Sequence, residues 1–145
     1  VLGRLLGARL SRATGRLREV LAGGRVVVRA GEYYVARLDR AVEGAFAIVD
    51  DGRELTVVAR RELLEGRSGD VECGFRLLTF DMELPFGLVG FMAVVSNALA
   101  HEGVSILAIS SYSTDHILVK GGDLQRAVRA LGRLGLRVEA EGADS

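Results

Sequence analysis

FRLLTFDMELPFGLVGFMAVVSNALAHEGVSILAISSYSTDHILVKGGDLQRAVRALGRLGLRVEA, residues 75–140, is the stretch that decides the fold. Phe75–Met82 reads as a strand. Pro85 ends it and suits the first turn of a helix, where its missing N–H is not needed. Leu88, Phe91, Met92, Val95 and Leu99 then recur at helical spacing, and Gly103 closes the run. Val104–Ile109 is an apolar strand fit for a sheet interior. Ser110 to Thr114 is a polar turn, and His116–Lys120 is the next strand. Gly121, Gly122 and Asp123 cap a second helix, with Asp123 a candidate N-cap. Its stripe is Leu124, Ala127, Val128, Leu131 and Leu134. Gly135 ends it, and Leu136–Ala140 is the last strand. The order β-α-β-β-α-β is a ferredoxin-like split βαβ unit. It predicts an α+β fold with two helices on one face of a four-stranded antiparallel sheet.

Upstream, residues 25–71 read as β-rich. Arg25–Arg29 is a Val-rich run, Tyr33–Leu38 a second strand and Ala45–Val49 a third. The hairpin signal Asp50-Asp51-Gly52 should return Glu54–Ala59 antiparallel to it. Arg61–Glu65 suits one helical turn. Gly66 to Asp70 is the best internal boundary. The strand spacing makes this half a candidate degenerate copy of the second. Residues 1–24 read as an amphipathic helix with a stripe of Leu2, Leu5, Leu6, Leu10, Leu17 and Leu21, stopped by Gly23 and Gly24. Either it packs on its own domain or a partner, or its arginines meet a membrane surface or belong to a mitochondrial presequence; the apolar face has no aromatic residue. The expected organisation is a helix over 1–24, a β-rich module over 25–71, a βαββαβ module over 72–140 and a tail over 141–145.

Composition narrows the function. Apolar residues make up 49% of the 145, enough for a core. Nineteen basic residues balance nineteen acidic ones, which argues against a nucleic-acid binder. The central strands offer no aromatic ring for base stacking. No apolar run reaches membrane-spanning length. The one cysteine, Cys73, can form no internal disulfide and fits a reducing cytoplasm; it reads as a half-buried small hydrophobe. Two histidines and one cysteine, far apart, support no zinc site and no other metal. His116 reads as a strand residue facing solvent or a partner. No nucleophile elbow, P-loop or dinucleotide fingerprint is present, so neither an enzyme nor a cofactor is expected.

Three stretches carry a family resemblance. They are Leu84-Pro85-Phe86-Gly87-Leu88-Val89-Gly90, then Glu102-Gly103-Val104-Ser105-Ile106, then Ile109-Ser110-Ser111-Tyr112-Ser113-Thr114-Asp115-His116-Ile117-Leu118-Val119-Lys120. Together they resemble the ACT-domain family, and within it the small two-ACT proteins related to the cytosolic arginine sensors. The likeness is strong over residues 75–134 and fainter over 33–66, where Tyr33–Leu38 and Leu55–Val58 carry it. Ser113 stands where the family commonly has Asp, and His116 where it has an aromatic residue. The resemblance implies an ACT module at the C-terminus, a degenerate ACT-like N-terminal half, and regulation by an amino acid held between modules. It also implies a homodimer, since such modules pair side by side, with a regulated enzyme as a possible partner.

The residues can be weighed for that chemistry. A zwitterion brings a carboxylate that needs N–H donors and an ammonium that needs acceptors. The turn Phe86, Gly87, Leu88 and Val89 is the candidate carboxylate site. Asp115 is the candidate ammonium partner, oriented by Ser110 or Ser111. Ser, Thr and Asp are also ordinary hairpin residues, so Asp115 has a turn-only reading as well. The alternative function is a structural or protein-interaction module with no ligand.

Overall fold

Eleven residues of one strand organise the molecule. The structure, a computed structural model, describes residues 15–142. Its helices are α1 (residues 15–23), α2 (Arg61–Leu64), α3 (Phe91–His101) and α4 (Leu124–Arg133). Its strands are β1 (Arg25–Val28), β2 (Tyr33–Leu38), β3 (Ala47–Asp50), β4 (Leu55–Arg60), β5 (Asp70–Phe80), β6 (Leu107–Ser110), β7 (Asp115–Lys120) and β8 (Arg137–Ala140). All eight join one sheet. The long strand β5 pairs with β2 through its first half and with β1 through its second, while β7 runs along its other edge. A bulge at the β2–β5 junction, where Gly74 has φ 82°, lets one strand serve both partners. Cys73 sits in that bulge and is exposed, not half-buried as expected from its type.

The C-terminal module has the expected element order, but its sheet is not the simple four-stranded one. β1 stands between β5 and β8, antiparallel to the first and parallel to the second. The reason lies in composition. Val26, Val27 and Val28 are buried, so both faces of β1 need cover. In β8 the charged Arg137 and Glu139 alternate with Val138 and Ala140, and that pattern suits an edge. Residues on both sides of the Gly66–Asp70 loop therefore share one sheet. The chain after β8 stays attached: Glu141 donates its N–H to the Val28 carbonyl, and its carboxylate accepts from the Ala30 N–H.

The main core lies between the helices and the sheet. Val26, Leu78, Phe80, Ile117 and Val119 from strands meet Phe91, Val95, Leu99 and Leu131 from α3 and α4. Leu17 and Leu21 of α1 are buried in the same cluster. The earlier leucines of the predicted first helix, Leu2 to Leu10, lie outside the described residues. The helical stripe of α3 is apolar as read, but the helix opens at Phe91, not Pro85. Pro85 instead starts a turn in which the Leu88 N–H donates to the Pro85 carbonyl at 2.9 Å. Gly90, at φ 91°, is the N-cap, and that conformation is incompatible with a continuing helix upstream. Asp123 likewise makes no capping bond; its carboxylate pairs with Arg126.

Candidate functional site

A cleft of about 360 Å³ lies where the turn before α3 faces the β6–β7 hairpin. Two hydrogen bonds tie the walls together at its base. The Leu84 N–H donates to the Ser113 carbonyl at 2.8 Å, and the Thr114 hydroxyl donates to the Phe80 carbonyl. The hairpin is set by its own polar residues. Ser110 and Asp115 are directly paired across it, and the Ser111 N–H meets the Thr114 carbonyl at 2.9 Å. These local bonds are why Ser, Thr and Asp are found there.

Of the residues singled out from sequence, Phe86, Leu88, Ser110, Ser111 and Asp115 line this cleft. Gly87 and Val89 do not line it; Val89 is an exposed residue beside the turn. One of the expected donors is committed elsewhere. The Leu88 N–H is used inside its own turn, so it is not offered to a ligand. Further N–H groups are offered by Phe91, Met92 and Ala93. They form the first turn of an eleven-residue helix, so they have no intrahelical partner, and Gly90 supplies no side-chain cap. All three residues line the cleft. A helix N-terminus of this kind favours an anion. Opposite it, Asp115 accepts a hydrogen bond from the Ser110 hydroxyl at 2.5 Å, which fixes one carboxylate oxygen. No residue of 25–71 lines the cleft; both walls come from the C-terminal module.

Sequence reasoning missed Phe91, Met92 and Ala93 because the helical stripe assigned them to mid-helix. Gly90 was the available signal, since an isolated glycine ahead of an apolar stripe can mark a helix boundary. It also missed Tyr112, whose ring meets Phe86 edge to face at 5.0 Å across the mouth.

His116 stands behind the cleft and is a correction to the expected solvent-facing residue: it is only 6% exposed. Its ring nitrogens lie 3.0 Å from the Thr79 and Ser111 hydroxyls. One assignment satisfies every group. Arg29 donates to Thr79, Thr79 to Nδ1, Nε2–H to Ser111, and Ser111 to the Thr114 carbonyl. Phe46 packs edge-on against the imidazole at 5.0 Å. This chain holds Ser111 in place and needs a neutral His116.

Burial pushes the His116 pKa below the ordinary histidine value. The Arg29 charge adds to this, and Asp115 opposes it. The unfolded chain therefore takes up this proton at a higher pH than the folded chain does. The stability tied to neutral His116 is complete above the unfolded value of about 6.5 and is lost as pH falls through it toward the folded value. His116→Phe should remove that acid-side slope. Urea denaturation of both proteins across this range would show it, and equal slopes would contradict it.

Among the described residues no group of three or more His, Cys, Asp or Glu is placed to hold a metal ion, and no helix is long and apolar enough to cross a membrane. No curated protein sequence matches the chain. Among solved structures it is similar to a structural-genomics protein from Agrobacterium tumefaciens, with 24% identity, TM-score 0.73, and coverage of 84% of this chain and 96% of that one. It is also similar to a Vibrio cholerae protein of unknown function, described as a possible transport protein, with 26% identity, TM-score 0.69, and coverage of 85% and 98%. A third is the regulatory subunit of aspartate kinase from Thermus thermophilus, in its ligand-free form, with 13% identity, TM-score 0.57, and coverage of 79% and 98%; this likeness is one of fold. Residues 70–133, which include both walls of the cleft, match the family model of the ACT domain.

Proposed function

We propose that this chain is a sensor that binds an amino acid, or a similar small zwitterion, in the cleft before α3 and passes its occupancy to a regulated enzyme. The observation that carries the reading is the pairing of complementary charges on one cleft. Three free N–H groups of α3 face one side, and the Asp115 carboxylate lies on the other. The ligand carboxylate meets Phe91, Met92 and Ala93. Its ammonium meets Asp115, with Ser110 and Ser111 as orienting hydroxyls. ACT domains are in general regulatory modules that bind amino acids, and this supports the assignment. The chain itself performs no chemistry in this role.

The test is a thermal-shift panel of all the common amino acids. A ligand at a hundred times its dissociation constant stabilises the native state by about 2.7 kcal/mol. Asp115→Asn should lose that shift and keep its unliganded stability, because Asn still offers Ser110 an acceptor. A panel with no shift, or a shift undiminished in Asp115→Asn, would count against the site.

The same reading extends to organisation. Residues 25–71 act as a degenerate ACT-like module and 72–140 as the ligand-holding one, in a cytoplasmic protein. We place the assembly as a homodimer. Two features support this: β6 is an edge strand with Leu107 exposed, and Val89 is exposed beside the cleft. A ligand that binds across such an interface shifts assembly by its differential affinity for the two states. Sedimentation at micromolar concentration should give twice the chain mass, and a monomer would oppose the proposal.

A further inference from the structure

We infer that the amino acid taken by this cleft has a neutral, apolar side chain, and that Phe86 and Tyr112 receive it. The inference rests on the sensor reading and deepens it. It comes from a charge count. Among the described residues that line the cleft, Asp115 alone carries a charge at neutral pH. The backbone of any amino acid brings one ammonium and one carboxylate. The ammonium neutralises Asp115, and the carboxylate is met by the N–H groups of α3. Nothing is left to balance a third charge.

An acidic side chain would bring a second carboxylate into a cleft whose lining holds no Lys or Arg. A basic side chain would find its one carboxylate already engaged. A cation over the exposed rings would be attracted only weakly, because water screens it there. The remaining lining is uncharged: Leu84, Leu88 and Met92 supply apolar surface beside the hydroxyls of Ser110, Ser111 and Thr114. At the mouth stand the two rings, Phe86 79% and Tyr112 83% exposed, and they already touch each other. Two aromatic rings left in water beside a polar cleft are surface that an apolar ligand group would cover. The volume, about 360 Å³, is at the low end of ligand sites, which run from about 300 to 1,000 Å³, and suits a single residue rather than a peptide.

The experiment is calorimetric titration of the full chain with leucine, isoleucine, methionine and phenylalanine, and separately with lysine, arginine, aspartate and glutamate. Wild type should bind at least one apolar member about tenfold more tightly than any charged one, a difference that corresponds to about 1.4 kcal/mol. Tyr112→Glu, at an exposed position that leaves the fold intact, adds a second carboxylate to the lining. It should weaken the apolar ligand and raise binding of lysine or arginine. A charged amino acid that binds wild type as tightly as the apolar ones would overturn the inference while leaving the sensor reading standing. If no amino acid binds, the sensor reading fails and the inference with it. If Phe86→Ser leaves the titrations unchanged but lowers the sedimenting mass, the rings serve a second copy of the chain, and the inference is wrong.

Discussion

Phe80→Ala is expected to destabilise the protein by about 3–5 kcal/mol. Phe80 is fully buried in the main core, and its ring packs edge to face on Phe91 at 5.1 Å. The lost term combines transfer of a large apolar side chain with the cavity it leaves. The effect should reach the cleft as well. Phe91 is the first residue of α3, and the Phe80 carbonyl holds Thr114 of the opposite wall. One residue thus supports the donor side directly and the hairpin side through its backbone. Urea unfolding gives the stability loss. A ligand titration of the folded fraction should show weakened binding, because the N–H groups of α3 lose the ring that seats them. A loss under about 1 kcal/mol would mean that Phe80 is not at the centre of this core.

Val26→Asp should cost at least about 3–5 kcal/mol, since it leaves a carboxylate buried with no partner. Val26 is fully buried and stands opposite Phe80 on β5 and Val138 on β8. β1 joins these two strands, and the chain runs directly on into β2, which pairs with the other half of β5. The two halves of the molecule should therefore unfold in one transition, and the variant should lower its midpoint without splitting it. In a Tyr112→Phe background, fluorescence from Tyr33 and Tyr34 in the first half and far-ultraviolet dichroism of α3 and α4 would track the halves. Two separated transitions would show that the halves are independent units.

The readings that succeeded were local ones. The stripes Val95–Leu99 and Ala127–Leu131 announce helices because apolar side chains at 3.6-residue spacing can be buried on one face only by a helix. Tyr33–Leu38 and the Ser110–Asp115 turn follow from β propensity and hairpin chemistry in the same way. What was not legible was long-range pairing. No periodicity says that β1 inserts between β5 and β8, although the unbroken Val26-Val27-Val28 run, beside the alternation of β8, carries the physical hint. The start of α3 was hidden by competing rules. Proline is favoured in a first helical turn, but Gly90 adopts a left-handed conformation five residues later, and the later residue sets the boundary. The site shows the same division. Phe86, Leu88, Ser110, Ser111 and Asp115 could be named from turn chemistry and resemblance, and they do line one cleft. The donors of Phe91, Met92 and Ala93 were missed because the apolar stripe was read through Gly90, the residue that marks the helix start. His116 was misplaced because Thr79 and Phe46, which meet its ring, come from distant segments of the chain.

The central claim is that a zwitterion sits between the start of α3 and the β6–β7 hairpin. The most direct measurement is a two-dimensional amide NMR titration of the full chain with the amino acid that gives the largest thermal shift. The account predicts saturable shifts at the Phe91, Met92 and Ala93 amides and at Ser110 to Asp115, with those of α2 and β3 unmoved, and loss of the shifts in Asp115→Asn. Shifts confined to residues 25–71, or a full titration that leaves the Phe91–Ala93 amides in place, would contradict it.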